Sequence, residues 1–407
     1  MKRFPLLFAV LLLAACSRVA GTGFSEPDCG WLFTGKAPYT LVANAGGSEP
    51  VGVTLRTDLS LMSEDAAPIF SRTLTPGPDS LVTIPLGRLE PGFYQICIAD
   101  SITFNIGVRP EEVLSPPDAP ADFDAFWEET FSQTRALPMD ATFTPVPEYS
   151  DSVRACYRVS YSSWGGATAG GILSVPVAEG KYPVRLEYMG YGAEPFCYGP
   201  QDEPGLITFL VSVRGQGIFK EPEGGWFHRG VDSKENYYYR GAFADVLRAI
   251  DFVCSLDKAD TGRIVSVGES QGGAFSLLSA AIDPRIKAVA PAVPFLGDYP
   301  DYARIVWWPV HEGLDEARAQ GISDEDFLET LRYFDIKNFA PRIKCPVYMA
   351  WGLQDPTCPP HTNFAIYNNL GSSEKHYICI PTCGHAMWLE PAWPPVRNAF
   401  LSRFIAE

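Results

Sequence analysis

Residues 263–276 read RIVSVGESQGGAFS, and this stretch decides the fold. Its first five residues have the β-branched pattern of a buried strand, and Gly273-Ala274-Phe275-Ser276 suit the start of a helix. Between them, Gly268-Glu269-Ser270-Gln271-Gly272 fits the pattern G-x-S-x-G, which puts a serine on a sharp strand-to-helix turn. We therefore predict that Ser270 is a nucleophile exposed at such a turn. A tight β–α turn without chemistry is the alternative.

Strand-like and helical stretches alternate over most of the chain beyond residue 110. This alternation is typical of a mostly parallel sheet with helices on both faces, so the predicted class is α/β, with the α/β-hydrolase fold. A helical insertion at about residues 299–335 interrupts the alternation. We predict strands at Val184–Met189, Leu206–Val213, Ile264–Val267, Ala288–Ala292, Val347–Trp351 and His376–Ile380, and helices at 122–131, Tyr237–Leu256, Gly273–Ile282, Asn363–Asn369 and Pro395–Phe404.

A catalytic serine needs a base and a third group that orients the base, and in this fold the chain order is serine, acid, histidine. Asp355 and His385 follow two predicted strands in loops that contain glycine. Ligand sites of open α/β sheets lie at such strand ends, so we predict Asp355 as the acid and His385 as the base. The rivals fit less well by position; they are Asp298 and Asp335 for the acid, and His228, His311, His361 and His376 for the base.

An oxyanion hole needs two N–H donors. The backbone of Gln271, directly after the serine, is predicted to supply one donor. The other should come from a loop after an early strand, and Gly190-Tyr191-Gly192 is suitable, so we choose the Tyr191 backbone. An ordinary turn is the alternative for this glycine-containing segment.

The N-terminal region has the marks of export followed by a separate module. Residues 1–16 combine Lys2 and Arg3 with a short apolar run and end in Leu-Ala-Ala-Cys, which predicts a bacterial lipoprotein signal with Cys16 as the lipidated residue. A plain secretory signal is the alternative. Residues 17–29 are predicted as a tether, and residues 30–109 as a small immunoglobulin-like β-sandwich. We interpret this module as a spacer or packing module, with carbohydrate binding as the alternative.

Composition limits the partners and the role of the cysteines. The formal charge of −16 disfavours nucleic acid, because phosphate binding needs a basic face. Export permits disulfides, and the pairs Cys29–Cys97 and Cys358–Cys383 are weighed against buried free thiols. No cysteine spacing resembles a zinc site. No metal or organic cofactor is expected.

From about Pro116 to the C-terminus, the chain resembles the acetyl xylan esterase and cephalosporin-C deacetylase family of carbohydrate esterases. The resemblance is carried by motifs that stand in order along the chain: Arg214-Gly215-Gln216, Glu235-Asn236-Tyr237-Tyr238-Tyr239-Arg240, Gly268-Glu269-Ser270-Gln271-Gly272, Val293-Pro294-Phe295-Leu296, Tyr333-Phe334-Asp335, Gly352-Leu353-Gln354-Asp355 with Cys358-Pro359-Pro360, and Gly384-His385.

The resemblance implies an esterase that removes acetyl groups from small acetylated sugars. It assigns the nucleophile to Ser270, the acid to Asp355, the base to His385 and the oxyanion donors to Tyr191 and Gln271, with Arg214 and Gln216 as structural supports near the site. It also implies a homo-oligomer, often a hexamer in this family. The chain departs from the family in having Ala386 where glutamate usually follows the histidine, and in its anchor and N-terminal module.

The sequence therefore predicts an exported serine esterase, held at a membrane by its N-terminal lipid and acting on acetylated oligosaccharides. Two alternatives are kept. One is a serine peptidase of the same fold, and the other is a glycan-binding lipoprotein with an inactive hydrolase domain.

Overall fold

The computed structural model describes residues 31–406, apart from residues 36, 46, 101 and 198–204. The predicted signal peptide with Cys16, the tether 17–29 and Cys29 lie outside the described residues. Among the residues described, no helix combines the length and apolar character needed to cross a membrane.

Two sheets form the N-terminal part of the described chain. One has five strands in the order β1-β7-β6-β3-β4, and the other pairs β2 with β5. Alternate residues of these strands, such as Leu41 in β2 and Ile96 in β6, are fully buried, which is the pattern of strands with one face in a core. The strands are β1 Leu32–Phe33, β2 Tyr39–Asn44, β3 Val51–Thr57, β4 Phe70–Leu74, β5 Leu81–Gly87, β6 Gly92–Ile98 and β7 Ile102–Val108.

A nine-stranded sheet follows, in the order β16-β15-β14-β13-β11-β12-β10-β9-β8. The six strands from β16 to β12 in this order are parallel, and β10, β9 and β8 extend the sheet in antiparallel fashion. The sequence analysis made no prediction for these three edge strands. The bounds are β8 Thr142–Pro145, β9 Arg154–Ser162, β10 Thr168–Pro176, β11 Tyr182–Tyr188, β12 Ile207–Ser212, β13 Ala259–Glu269, β14 Ile286–Ala292, β15 Val347–Gly352 and β16 Lys375–Ile380.

The helices follow the predicted alternation. The mostly parallel sheet with helices between its strands confirms the predicted α/β fold class. The predicted insertion contains three helices, α4 to α6, between β14 and β15. The bounds are α1 Phe123–Ala136, α2 Tyr238–Cys254, α3 Gln271–Ile282, α4 Tyr299–Ile305, α5 Val310–Ala319, α6 Asp324–Arg332, α7 Ile336–Phe339, α8 Pro360–Asn369 and α9 Trp393–Ile405.

The N-terminal sheets and the large sheet share one continuous hydrophobic core. Phe93 of β6 lies 5.5 Å from Phe364 of α8, measured between ring centroids. Polar groups join across the same junction: His361 Nδ1 lies 2.9 Å from Asp58 Oδ2. The N-terminal module therefore packs on the helix that directly follows the predicted acid loop.

Candidate active site

Ser270 lies in the turn between β13 and α3, with a backbone φ of 58° and ψ of −122°. Such a φ is strained for a residue with a side chain, and it is tolerated because the surroundings determine it. A Cβ at Gly272 would lie 1.9 Å from the carbonyl oxygen of Tyr188, and one at Gly268 would lie 2.3 Å from that of Gly272. Both flanking glycines are therefore required by the close approach of the backbone to β11.

His385 and Asp355 form a buried pair. His385 Nδ1 lies 2.9 Å from Asp355 Oδ2, and the other carboxylate oxygen accepts hydrogen bonds from the backbone N–H groups of Thr357 and Cys358, at 2.8 and 2.9 Å. Burial disfavours the imidazolium, but the Asp355 carboxylate outweighs burial, and the pKa of His385 is raised well above its ordinary value. The arrangement fixes the ring and leaves Nε2 for another partner.

Cys358 brings the serine and the histidine to one place. Its side chain is fully buried and lies beside His385 and Ser270, and burial raises the pKa of the thiol. The structure therefore gathers all three residues of the predicted triad around one sulfur atom, although the sequence analysis assigned that sulfur no place beside Ser270.

The disulfide between Cys358 and Cys383 that was weighed from the sequence does not form. The sulfur of Cys383 instead lies 3.4 Å from the carbonyl oxygen of Gly384 and 3.6 Å from Met387 Sδ. The acid and base loops are held together by other bonds: the N–H of Gln354 donates to the carbonyl of Cys383, and the N–H of Leu353 to that of Ile380.

The two segments predicted to form the oxyanion hole lie against each other and against the serine turn. A Cβ at Gly190 would be 3.6 Å from the carbonyl oxygen of Glu269. Gln271 is the first residue of α3, so its N–H has no acceptor within the helix and is available to a ligand. Tyr191 packs on Trp308 with ring centroids 5.7 Å apart.

Gln216 connects these two segments. Its Oε1 accepts from the N–H of Gly192 at 3.0 Å and from Gln271 Nε2 at 3.1 Å, and its Nε2 donates to Tyr238 Oη at 2.9 Å. Tyr239 Oη donates to Gln271 Oε1 at 2.9 Å. These contacts are consistent with the supporting role expected for Gln216, and they add two tyrosines that the motif contained but to which the sequence analysis gave no role.

Arg214 lies one step further from the serine. It forms a two-pronged ion pair with the buried Asp245 of α2, with N–O distances of 2.7 and 2.9 Å. Its carbonyl oxygen accepts from Tyr238 Oη at 2.7 Å. Arg214 thus holds the loop after β12 against α2. The Tyr238 hydroxyl links the Arg214 carbonyl to the Gln216 side chain.

The N-terminal module contacts the acid loop directly. Gln354, which precedes Asp355, accepts from the N–H of Asn105 at 2.7 Å and donates to the carbonyl oxygens of Asn105 and Pro381, at 3.1 and 2.8 Å. Asn105 Nδ2 donates to the carbonyl of Leu353 at 3.2 Å. No periodicity or motif indicates a contact across 249 residues, so these partners could not be found from the sequence.

Aromatic side chains lie near the residues of the predicted triad. Trp388 follows the base loop, is 48% exposed, and has its ring edge-to-face with His385 at 6.4 Å. Trp307, the sequence neighbour of the Trp308 that packs on Tyr191, is also 48% exposed and stacks on His311. Ala386 occupies a buried position between the base and Trp388.

The rivals considered for the acid and the base are engaged elsewhere. Asp335 accepts backbone N–H groups from Asp298, Tyr299 and Lys337, and Asp298 pairs with Lys337. The rival histidines have separate neighbours: His361 pairs with Asp58, His376 lies 3.8 Å from Glu374, His311 bonds the carbonyl of Ala303, and His228 lies beside Gly225.

Comparisons with known proteins identify the family of the chain. The model of the acetyl xylan esterase (AXE1) family matches residues 112–391. The acetyl esterase Axe7A of Xylanibacter ruminicola is 31% identical over 318 residues, which are 72% of this chain and 71% of that protein.

Two crystal structures show the same fold. Acetyl xylan esterase 1 from Thermoanaerobacterium sp. JW/SL YS485 is 27% identical, with a TM-score of 0.66 over 73% of this chain and 98% of the other. The acetyl xylan esterase from Paenibacillus sp. R4 is 29% identical, with a TM-score of 0.65 over the same shares. The chain therefore belongs to the acetyl xylan esterase (AXE1) family and is a carboxylic ester hydrolase.

Proposed function

We propose that the protein removes acetyl groups from acetylated xylo-oligosaccharides or related sugars through a Ser270–His385–Asp355 acyl-enzyme mechanism. The observation that carries this proposal is the position of Ser270, on its strained turn, and of His385, whose Nδ1 is fixed by a buried carboxylate, beside the same Cys358 side chain. Family membership supports acetyl esters as the substrate class.

In this mechanism, His385 Nε2 takes the Ser270 proton while Oγ attacks the acetyl carbonyl. Asp355 orients the ring and stabilises the imidazolium. The N–H groups of Gln271 and Tyr191 bind the developing oxyanion, and Gln216 keeps their loops at a fixed spacing. His385 returns the proton to the sugar hydroxyl that leaves, and then activates the water that releases acetate.

The exposed indoles favour a sugar as the alcohol part of the ester. Trp388 is an exposed indole close to His385, and the exposed Trp307 is the sequence neighbour of Trp308, which packs on Tyr191. Flat apolar faces of this kind pack against the C–H faces of pyranose rings, while the acetyl group enters toward Ser270. We also propose that Cys16 carries a lipid that holds the enzyme at a membrane.

The experiment is an acetate-release screen over acetylated xylo-oligosaccharides, other acetylated glycans and N-acetylated peptides. It is run with wild type, Ser270→Ala and the matched control Ser402→Ala, which changes an exposed serine of α9. We expect acetate from the sugars with wild type and the control, and none with Ser270→Ala. Full activity of Ser270→Ala would overturn the mechanism, and release from peptides alone would overturn the substrate class.

A further inference from the structure

The turn after the acid directs a thiol into the catalytic centre. The Asp355 carboxylate accepts the backbone N–H of Cys358, which fixes the start of α8 and turns the cysteine side chain toward His385 and Ser270. One donor atom each from Asp355, Cys358 and His385 lie within 4.8 Å of one another, and all three residues are buried.

These donors have the chemistry that thiophilic cations prefer. Zinc takes thiolate sulfur at about 2.3 Å and imidazole nitrogen at about 2.0–2.1 Å, usually with tetrahedral geometry. Sulfur and nitrogen are then about 3.6 Å apart, which falls within the 4.8 Å that separates the donor atoms of Cys358 and His385 at most. Hard cations such as Mg²⁺ prefer oxygen ligands and gain little from this pair.

Asp355 already holds the position of a carboxylate that supports a metal-binding histidine. Its Oδ2 lies 2.9 Å from His385 Nδ1, and its Oδ1 accepts two backbone N–H groups, so Nε2 is the ring nitrogen left to bind a cation. Outer carboxylates of this kind fix the ring and raise the basicity of the ligand.

We propose that Cys358 Sγ and His385 Nε2 bind one Zn²⁺ or Cd²⁺ ion, with water completing the coordination, and that this ion reversibly inhibits the esterase. Binding releases to water the thiol proton and, where His385 is charged, the proton on Nε2, and it occupies the nitrogen that would otherwise accept the serine proton. The inhibitory part rests on the proposed roles of Ser270 and His385, whereas the binding part does not.

A competing thiol pair must be removed before binding is measured. Cys156 and Cys197 have their sulfur atoms 3.9 Å apart and would also take a soft cation. All proteins in the test therefore carry Cys197→Ser. The other group of possible ligands, Asp298, Asp301 and His361, already forms ion pairs with Lys337, Arg304 and Asp58 and offers no sulfur.

The first measurement is direct binding of Cd²⁺, which is monitored by the thiolate-to-cadmium charge-transfer absorbance and by calorimetry. It uses the Ser270→Ala protein, its Cys358→Ser and Cys358→Ala derivatives, and a matched Cys345→Ser control, each checked for folding by circular dichroism. We expect one equivalent bound, and affinity weakened more than about 100-fold by either Cys358 change, because loss of an outer partner alone costs about 10–100-fold. An unchanged signal in both folded Cys358 variants would refute the site.

The second measurement is hydrolysis of p-nitrophenyl acetate by proteins with Ser270 intact, each normalised to its own metal-free rate. Zn²⁺ should inhibit the Cys345→Ser protein and a chelator should restore it, Mg²⁺ should not inhibit, and Cys358→Ser should need more than about 100-fold more Zn²⁺. Cd²⁺ bound through Cys358 without inhibition would remove the inhibitory part and leave the site. An active esterase that lacks the cadmium signal would refute this inference and leave the proposed function standing.

Discussion

Two buried histidine–aspartate pairs involve residues that follow β15, and the contact made by the imidazole Nδ1 is the same in both pairs. In each, the imidazole Nδ1 lies 2.9 Å from an aspartate Oδ2: His385 from Asp355, and His361 from Asp58. The other neighbours of the two rings differ. His385 lies beside Cys358, which also adjoins Ser270, whereas His361 Nε2 lies 3.4 Å from a second carboxylate, that of Asp301.

The difference decides what each pair can do. A histidine between two carboxylates is held as a cation, and it fastens Asp58 of the N-terminal module to α4 and α8. A histidine with a carboxylate on one side and a hydroxyl or thiol on the other can exchange a proton with that group. A buried histidine–aspartate pair by itself thus indicates neither catalysis nor structure.

The largest expected effect comes from Asp355→Asn, which keeps the shape of the side chain and removes its charge. Without the carboxylate, His385 loses its orientation and the stabilisation of its cation, and we expect kcat to fall by about 10⁴-fold. The measurement is steady-state hydrolysis of p-nitrophenyl acetate. Asp58→Asn makes the same change in the other pair and should keep kcat close to wild type; equal losses would show that the two pairs are not distinct in function.

Asp58→Asn should act on stability instead. It breaks a buried ion pair whose side chains are 5% and 7% exposed, and such a loss typically costs about 3–5 kcal/mol in the free energy of unfolding. Urea unfolding measures the difference. The matched control is Asp124→Asn, because the side chain of Asp124 is 83% exposed and its pair with Arg342 should contribute less than about 1 kcal/mol. Similar values for both variants would contradict the structural role of Asp58.

The pH dependence of stability should report the charge on His361. Burial alone would lower the pKa of His361, but hydrogen bonds to Asp301 and Asp58 overcome it and raise the pKa to about 10. The folded state therefore holds a proton that the unfolded state releases near pH 6.5. The stabilisation is complete below about pH 6.5 and is lost as the pH rises through about 10.

The corresponding measurement is urea unfolding at several pH values across that window. We expect the decline in stability to be smaller in His361→Gln. The matched control His376→Gln changes a histidine whose side chain is 52% exposed, and it should keep the wild-type decline. A wild-type slope that His361→Gln does not alter would count against the charged state of His361.

The smallest expected effect is that of Gln354→Ala. Its amide joins Asn105 of β7 to the acid loop and to Pro381, and each hydrogen bond contributes about 1 kcal/mol net. We expect kcat to fall by about tenfold with KM unchanged, because the loss affects the position of Asp355 and not the binding surface. Asn105→Ala keeps the backbone bonds to Gln354 and should lose less; a change confined to KM would argue against positioning.

Much of the fold and of the candidate site could be predicted from the sequence, because the signals lie in short, continuous stretches of the chain. The G-x-S-x-G turn around Ser270 and the loops after two strands were readable because a parallel sheet brings the carboxyl ends of its strands to one edge. Asp355, His385 and Ser270 meet there as predicted, although their catalytic roles stay a prediction. The antiparallel strands β8 to β10 were missed at the far edge.

What the sequence did not indicate depends on contacts between distant segments. The pairing of Asp58 with His361 spans 303 residues and has no spacing signal. The disulfide between Cys358 and Cys383 was weighed because both loops approach the site, but side-chain direction decided the outcome: the first thiol points to Ser270 and the second toward Met387. The direction of the Cys358 side chain follows from the geometry of the turn after Asp355, which the sequence does not indicate.

The core that runs unbroken from the N-terminal sheets into the large sheet has a consequence for how this chain can be cut or recombined. A shortened chain starting near residue 110 would leave Phe364 without its partner Phe93 and would expose an apolar patch on α8. Grafting residues 31–109 onto another hydrolase would remove the α8 surface on which they pack. The N-terminal segment is thus an inseparable component of this enzyme and not an exchangeable attachment.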